Sequence, residues 1–391
     1  MDAIINKEIL IRARREAGLS ISKVSIKIKK SEKYIESLEQ GSKYPTIWEA
    51  RKLAKLYWQS FTTFYLSTPP EKFNFIKDFR CLPDKKNLIS PELNYLINTF
   101  YWKQEFITNY FQYIWKEKIG LVWKYSINND IKSIINWIYK DFELSPFNEL
   151  EKMNQNELFS YWMKKIENRG IFILKFNNIE IEECRWFVLT NKIAPFILIN
   201  TNDSKNAQLF SLIHELIHIL INEQGISNDD ICWNYESKDI KDIEVFCNKI
   251  TAKLLVDEKI FKEKYNSIKN LETDDQIKKL ANYFKVSKET ISRIFLEKNF
   301  IEKNQYKKYR EIFRNERLKY SQEKKIKMKK EKWWPNYYTK KISDYWHPLI
   351  QTVMSWYYEW TINWRDASFL LDLKINNFNK LTKKILSKNI S

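Results

Sequence analysis

The chain has 391 residues, which suits two or three domains, and its 67 Lys and Arg against 49 Asp and Glu give a formal net charge of +18. That charge favours a polyanionic partner such as nucleic acid, although the joint excess of Lys, Asn, Ile, Tyr and Phe is a bias that genome base composition imposes without function. No uninterrupted apolar run reaches membrane-spanning length and the first residues lack a secretory signal, so no membrane partner is expected and the predicted location is cytoplasmic.

The cysteines and the turn-forming residues narrow the fold class. Cys81, Cys184, Cys232 and Cys247 are scattered without a Cys-x-x-Cys pair, which indicates isolated thiols in a reducing compartment rather than a disulfide framework. Only five glycines and nine prolines occur. The chain is therefore predicted to be mainly α-helical with one small β-sheet, an α+β fold.

Residues 8–66 show the spacing of four short amphipathic helices. Gly18 and Gly41 are expected to end the first and the third helix, and Ser20 and Ser31 to cap the second and the third. A short turn between the second and third helices of a basic chain suggests a helix-turn-helix. Any four-helix module has a similar periodicity, so the pattern alone is not specific.

Residues 81–155 are predicted to be helical, with an aromatic stripe at helix spacing that we interpret as core. After a helix at 156–168, three apolar runs have strand character, at 170–174, 185–189 and 195–200. They are expected to form a small sheet over the helix that follows. An edge strand of such a sheet would hold an extended peptide by main-chain hydrogen bonds.

Two of the three histidines stand four residues apart in His214-Glu215-Leu216-Ile217-His218, inside a helical pattern that fades before Gly225. Positions i and i+4 share a helix face, so both imidazoles reach one metal ion. Glu215, between them, is placed to take a proton from water at that ion. The alternative interpretation is a core helix with two satisfied histidines.

A water-activating zinc site takes three protein ligands and keeps one position open, so a third ligand is required. Glu244 lies 26 residues beyond His218 in a second helical stripe, and it is the predicted third ligand. Asn248, one turn later, is expected to accept the outer ring N–H of a liganding histidine. Cys232, between the two helices, is a competing soft ligand and the weaker candidate.

These motifs resemble two known families. Arg12 to Ser60, with Ala17-Gly18-Leu19-Ser20 and Leu38-Glu39-Gln40-Gly41, is similar to an Xre/Cro-type repressor domain. Residues 171–257 resemble the ImmA/IrrE metallopeptidases, a zincin-like (gluzincin) group whose later helix reads roughly Glu-x-x-Ala-Asn, here Glu244-Val245-Phe246-Cys247-Asn248. Chains that combine both modules often carry two further motifs, which are found here at Pro69-Pro70-Glu71 and Asp78-Phe79-Arg80.

The sequence departs from both families at several positions. Ile213 and Ile217 stand where the peptidase family often has smaller residues, and Ile217 is expected to affect packing against the sheet more than metal ligation. Cys247 replaces the family's alanine, a small-for-small substitution that we expect to be neutral. In the repressor-like domain, Ile21 stands where a DNA-contacting glutamine is common, and Lys29 replaces the glycine of the turn.

The predicted recognition helix carries the candidate residues for DNA binding or partner docking, which are Ser31, Glu32, Lys33, Tyr34 and Ser37. The residues expected to face outward are Glu32, Lys33, Tyr34, Glu36 and Ser37, which gives two acids against one base, and no arginine is present to read a guanine edge. Carboxylates repel backbone phosphates. Operator binding and docking of a partner protein therefore both stay open.

The sequence predicts four regions, namely an Xre-type helix-turn-helix domain at 1–68, a helical connector at 69–155, an ImmA/IrrE-like metallopeptidase domain at 156–300 and a basic helical C-terminal region at 301–391. The resemblance implies a zinc endopeptidase, with Zn²⁺ on His214, His218 and Glu244. Its predicted partners are a repressor protein, cleaved to relieve transcription in a mobile element or stress response, and DNA. The alternative is a non-enzymatic helix-turn-helix regulator or antitoxin-like protein whose metal site is structural or vestigial.

Overall fold

The structure is a computed structural model, and it describes residues 2–59, 61–68, 77–78, 90–222, 225–227, 238–330, 337–373, 375–378 and 380–381. The predictions for Cys232, for residues 69–71 and for residues 79–80 lie outside the described residues. The chain divides into two compact units. The described residues up to 68 together with 90–102 form the first unit, and 77–78 together with the described residues from 103 onward form the second.

The first unit is built from short helices, as the sequence predicts. They are α1 (Lys7–Glu16), α2 (Ile21–Ile28), α3 (Glu32–Gln40), α4 (Ile47–Leu56), a 3-10 helix (Phe61–Tyr65) and the beginning of α5 (Pro91–Tyr113). Ser20 and Ser31 accept a hydrogen bond from the first turns of α2 and α3, and Gly18 and Gly41 take positive φ values beyond α1 and α3. The predicted helix starts and stops in this unit are therefore confirmed.

The turn between α2 and α3 is short and strained. Lys29 adopts φ 60° and ψ 50°, a left-handed conformation that glycine takes at less cost than lysine. A buried carboxylate lies nearby: Glu49 of α4 accepts hydrogen bonds from the Tyr34 phenol and from Thr46, and it forms an ion pair with Lys30. The apolar faces of the four helices meet in one core.

The second unit begins its helical part with the rest of α5. The helices that follow are α6 (Ile131–Asp141), α7 (Phe147–Leu150), α8 (Gln155–Glu167), α9 (Lys205–Ile221), α10 (Lys238–Leu255), α11 (Glu258–Ile268), α12 (Thr273–Phe284), α13 (Lys288–Glu297), α14 (Lys303–Lys330), α15 (Tyr337–Tyr358) and α16 (Trp364–Leu371), with a 3-10 helix at Ile375–Asn377. The mainly α fold with a small sheet that the sequence predicts is confirmed. Among the described residues, no helix is both long and apolar enough to cross a lipid bilayer.

The sheet has five described strands, β1 (Lys77–Asp78), β2 (Phe172–Phe176), β3 (Trp186–Leu189), β4 (Phe196–Asn200) and β5 (Gly225–Ser227). Their order across the sheet is β1-β5-β3-β4-β2. β4 pairs in parallel with β2 and antiparallel with β3, and β5 pairs antiparallel with β3 and in parallel with β1. The three predicted strands are therefore confirmed, and two short strands extend the sheet beyond β3.

The strands β2, β3 and β4 are buried on both faces, which explains why they read as continuous apolar runs rather than as alternating patterns. α9 packs on β3 and β4, while α8 and α10 pack on α9. Asn222 ends α9 in a left-handed conformation, three residues before the Gly225 at which the sequence placed the stop. The sheet and the helices α8 and α10 thus enclose α9 almost completely.

Candidate metal centre

The site is built on α9, which the hydroxyl of Ser204 caps at its first turn. Apolar residues surround the helix on all sides, and from Ser211 to Ile221 every residue is buried. Ile213 and Ile217 are both fully buried in the main core, so the bulk that departs from the family pattern is accommodated by packing. A polar side chain on such a helix is held in a water-poor environment, where an electrostatic interaction is strong.

His214 and His218 present one ring nitrogen each to the same point. Their Nε2 atoms lie 3.0 Å apart, as expected for histidines one helical turn apart. Glu244 of α10 reaches that point from the opposite side, with Oε2 3.2 Å from His214 Nε2 and Oε1 3.2 Å from His218 Nε2. The structure therefore brings the three predicted ligands together, although they come from two separate helices.

The geometry of these three residues fits a tetrahedral metal ion. Ligand atoms about 2.0–2.1 Å from a zinc ion lie roughly 3.3 Å from one another when the coordination is tetrahedral. The observed separations of 3.0–3.2 Å are close to that value. Two carboxylates, Glu215 and Glu244, are also buried here beside the two imidazoles, and a divalent cation would balance their charge.

Glu244 is 3% exposed and lies beside both imidazoles. Burial alone would raise the pKa of its carboxyl group, but the neighbouring His214 and His218 lower that pKa to about 2. Glu244 is thus held as a carboxylate, the protonation state in which it binds a cation. Its helix packs as the sequence predicts, with Ile243, Phe246, Ile250 and Leu254 all buried on one side.

Glu215 is the second carboxylate of the site and is 1% exposed. Neither of its oxygens has a hydrogen-bond partner among the described residues. Burial and, after it, the negative charge of Glu244 raise the pKa of Glu215 well above its ordinary value. A carboxylate with a raised pKa is a stronger base, which is the property that a proton acceptor near neutral pH needs.

Aromatic rings fix the orientation of His214. The ring of Phe210, one turn earlier on α9, stacks on it at a centroid distance of 6.3 Å, and the Trp186 ring of β3 meets it edge-on at 5.9 Å. Its Nδ1 has no hydrogen-bond partner among the described residues. The contact that the sequence assigned to Asn248 is therefore missing at His214.

Asn248 lies instead in a small pocket next to the site. The same pocket is lined by residues of α9, α10, α13 and α14, among them Ala207, Phe210, Ala252 and Arg293. The sequence placed Asn248 on the ligand face because it is one helical turn beyond Glu244. Asn248 does lie one helical turn beyond Glu244 on α10, but the helix is rotated so that this side chain faces the pocket.

Cys247 belongs to the centre, and the sequence interpretation missed it. Its Sγ and one ring nitrogen each of His214 and His218 all lie within 4.8 Å of one another, and all three residues are buried. The sequence interpretation treated it as a neutral replacement of alanine. The signal was available in the spacing, because Cys247 is three residues beyond Glu244 and positions i and i+3 share a helix face.

The residues predicted for DNA binding or docking lie on α3 and at its start. Ser31 caps the helix, and Glu32 and Lys33 are exposed. Tyr34 and Ser37 are partly buried, and their hydroxyls donate to Glu49 and to the main chain of α3. Burial and the bond to Glu49 also raise the pKa of Tyr34 to about 12. The expectation that Tyr34 and Ser37 face outward is wrong, because Glu49 and the α3 main chain engage them.

Comparison with known proteins agrees with this geometry. No curated protein matches the chain. A family model does match residues 167–295, about a third of the chain, which include β2 to β5, α9 to α12 and most of α13. That model describes the IrrE N-terminal-like domain, so this part of the chain is similar to a metallopeptidase family of the ImmA/IrrE type.

Proposed function

We propose that the chain is a zinc-dependent endopeptidase whose catalytic centre consists of His214, Glu215, His218 and Glu244. The observation that carries the proposal is the convergence of two imidazole nitrogens and a carboxylate at 3.0–3.2 Å, with the buried Glu215 beside them. The same residues lie inside the stretch that matches a peptidase family. Satisfied core histidines would not need two buried carboxylates beside them.

The donor set favours zinc over other divalent ions. Two imidazole nitrogens and one carboxylate at near-tetrahedral spacing suit Zn²⁺, whereas Mg²⁺ and Ca²⁺ prefer six or more oxygen ligands. Three protein ligands leave one position for water or substrate. This open position is the feature that separates catalytic zinc sites from structural ones.

The residues of the centre then have distinct roles. A bound zinc ion would supply Lewis acidity, polarising the scissile carbonyl group and acidifying a water molecule. Glu215 accepts a proton from the attacking water at its carboxylate and passes that proton to the leaving amine nitrogen. His214 keeps its imidazole in one orientation because the Phe210 ring stacks on it and the Trp186 ring meets it edge-on. The surrounding core excludes bulk water from Glu215.

We propose a repressor protein as the substrate, cleaved to relieve transcription. This step rests on the resemblance of residues 12–60 to repressor domains, which often pair with each other. The surface of α3 favours protein docking over DNA binding, because Glu32 and Glu36 are exposed there and the Tyr34 hydroxyl is engaged internally. Exposed apolar side chains on the same unit, Ile26 and Trp48, also suit a protein partner.

The catalytic assignment is tested with Glu215→Gln. We expect the variant to keep about one zinc per chain and to lose cleavage by a factor of about 10² to 10⁴, because its amide accepts no proton. The matched control is Glu258→Gln, a change to an exposed carboxylate on α11 that should alter neither quantity. New protein N-termini in cells that express the wild type and not the variant would identify the substrate. Equal cleavage by wild type and variant contradicts the proposal.

The role of the first unit is tested separately. A gel-shift titration with operator DNA at low and high salt should show no shift when the unit docks a protein. A repressor domain should instead be retained by the full chain and released by a charge reversal at Lys33, which is exposed on α3. A salt-sensitive DNA shift that the same reversal abolishes would assign the unit to DNA.

A further inference from the structure

We propose that the thiolate of Cys247 is a fourth protein ligand of the metal, so that this centre is closed in its resting state. The inference rests on the proposed function, since it concerns the same centre. It starts from one observation, the placement of the Cys247 Sγ within 4.8 Å of a ring nitrogen of both His214 and His218. The three ligand atoms of His214, His218 and Glu244 leave one tetrahedral corner, and the thiolate would fill it.

The helix geometry supports this assignment. Cys247 follows Glu244 by three residues on α10, so the two side chains leave the helix on the same face. Cys247 is fully buried, as are His214 and His218, so no bulk solvent competes with the thiolate for the cation. Glu244 and Cys247 would thus be two ligands carried by one helix, α10, which packs against α9.

The coordination chemistry requires only a small movement. A thiolate binds zinc at about 2.3 Å and an imidazole at about 2.0–2.1 Å, so sulfur and nitrogen atoms on adjacent tetrahedral corners lie about 3.6 Å apart. Sulfur is already within 4.8 Å of a nitrogen of each ring, and rotation about the Cα–Cβ bond of Cys247 changes that distance. Binding breaks the S–H bond, forms a Zn–S bond and releases one proton to solvent.

The consequence is a latent enzyme. Two histidines, one glutamate and one cysteine make a four-ligand zinc sphere, the closed arrangement of structural sites. A substrate carbonyl or water would enter only when the sulfur leaves the metal. Activity of the wild type would then be limited by the departure of Cys247, and removal of the thiol would raise activity rather than abolish it.

The decisive measurement is X-ray absorption at the zinc edge of the full-length protein loaded with one zinc. We expect one sulfur scatterer at about 2.3 Å together with nitrogen and oxygen scatterers at about 2.0–2.2 Å. Cys247→Ala should remove the sulfur scatterer and keep the zinc. The matched control is Cys184→Ala, since Cys184 is the other buried cysteine among the described residues and its thiol donates to the carbonyl of Trp186. Nitrogen and oxygen scatterers alone in the wild type would overturn the proposal.

A second readout does not depend on the spectrum. Zinc should protect Cys247 from alkylation more strongly than it protects Cys184, because metal binding stabilises the fold around both buried thiols but engages only that of Cys247. A chelator should remove the difference, and equal protection of the two thiols by zinc would also overturn the proposal. Cys247→Ser serves as a second variant in which the size of the side chain is kept.

The two proposals fail in different ways. A sulfur scatterer combined with unchanged cleavage by Glu215→Gln would leave Cys247 as a ligand and end the peptidase assignment. Loss of cleavage in Glu215→Gln without a sulfur scatterer would keep the peptidase and end the closed site. If both hold, Cys247→Ala should cleave several-fold faster than the wild type.

Discussion

Two buried charged clusters of the second unit differ in how their polar atoms are satisfied. Arg185 and Asp203 form an ion pair in which the Arg185 Nε donates to Asp203 Oδ2 at 2.6 Å, and the other oxygen of Asp203 accepts from the main chain of Ser204. In the cluster on α9 and α10, both oxygens of Glu215 and the Nδ1 of His214 lack a partner among the described residues.

The difference separates a structural cluster from a binding site. Nearly all buried polar groups in folded proteins have a hydrogen-bond partner, and leaving one without a partner costs about 1–3 kcal/mol. The Arg185–Asp203 pair meets that requirement within the chain, so it needs nothing from outside. The candidate metal centre does not meet it among the described residues, and the oxygens of Glu215 are the physical reason to expect a bound water or substrate there.

Removal of a ligand should have the largest effect. His218→Ala removes one of the two imidazole ligands, so we expect bound zinc to fall from about one per chain to near zero and cleavage to fall with it. Zinc at a thousand times the dissociation constant should raise the free energy of unfolding of the wild type by about 4 kcal/mol, and with it the unfolding midpoint, whereas the variant should not respond. Elemental analysis and thermal unfolding measure both quantities.

His347→Ala is the control for this experiment, since His347 is the remaining histidine of the chain. Its zinc content should equal that of the wild type. Retention of zinc by His218→Ala would show that the metal is held elsewhere, and the comparison between the two clusters would then lose its basis.

Breaking the Arg185–Asp203 ion pair should reduce the stability of the fold and leave zinc binding unchanged. Arg185→Met leaves the carboxylate of Asp203 buried without its cation, and we expect the free energy of unfolding to fall by about 3–5 kcal/mol. The folded fraction should still bind zinc normally. Urea denaturation followed at the tryptophans gives the first quantity, and elemental analysis the second.

The double variant Arg185→Met with Asp203→Leu sharpens this test. Replacing both charges removes the buried unpaired carboxylate, so most of the lost stability should return. A double variant as unstable as the single one would mean that the lost stability does not come from the unpaired carboxylate of Asp203.

The first unit offers a buried carboxylate whose stabilising effect depends on pH. Burial alone would raise the pKa of Glu49, but hydrogen bonds from Lys30, Thr46 and Tyr34 lower it from 4.5 to about 2. A group whose pKa is lower in the folded state stabilises fully above its unfolded pKa and loses that effect as the pH falls through its folded pKa. The stability contributed by Glu49 should therefore decline between pH 4.5 and about 2.

Glu49→Gln measures this contribution. We expect the variant to be less stable than the wild type by about 1–3 kcal/mol near pH 7, and the gap to narrow as the pH is lowered through the window above. Circular dichroism of urea-treated protein at several pH values gives the gap. A gap that widens in acid contradicts the sign of the lowered pKa.

The smallest effect is expected at Asn248. Outer partners of liganding histidines typically change metal affinity by about 10- to 100-fold when they are replaced. Because Asn248 lies in the neighbouring pocket and does not satisfy His214 Nδ1, Asn248→Ala should change zinc affinity by less than about tenfold. Competition with a chromogenic chelator measures the affinity. A larger loss would restore the role that the sequence assigned to Asn248.

Much of the fold could be predicted because the signals are local. The strands β2, β3 and β4 are continuous apolar runs, and Gly18, Ser20, Ser31 and Gly41 mark helix ends where the structure has them. The two short strands β1 and β5 were missed. Two or three residues carry no periodicity, and their pairing exists only through contacts with β3 and with each other.

The candidate site shows where this local information ends. Spacing alone placed His214 and His218 on one face of α9, since the pitch of a helix is set by backbone geometry. Whether Glu244, Asn248 or Cys247 reaches the same point depends on how α10 is rotated against α9, and that rotation follows from packing of the whole helix pair. The sequence by itself therefore determined that the two histidines share one face of α9 with Glu215 between them, and that the strands β2, β3 and β4 form. Only the tertiary structure decided that Cys247 lies at the centre while Asn248 faces the pocket, because packing between distant helices is not encoded in the spacing of either one.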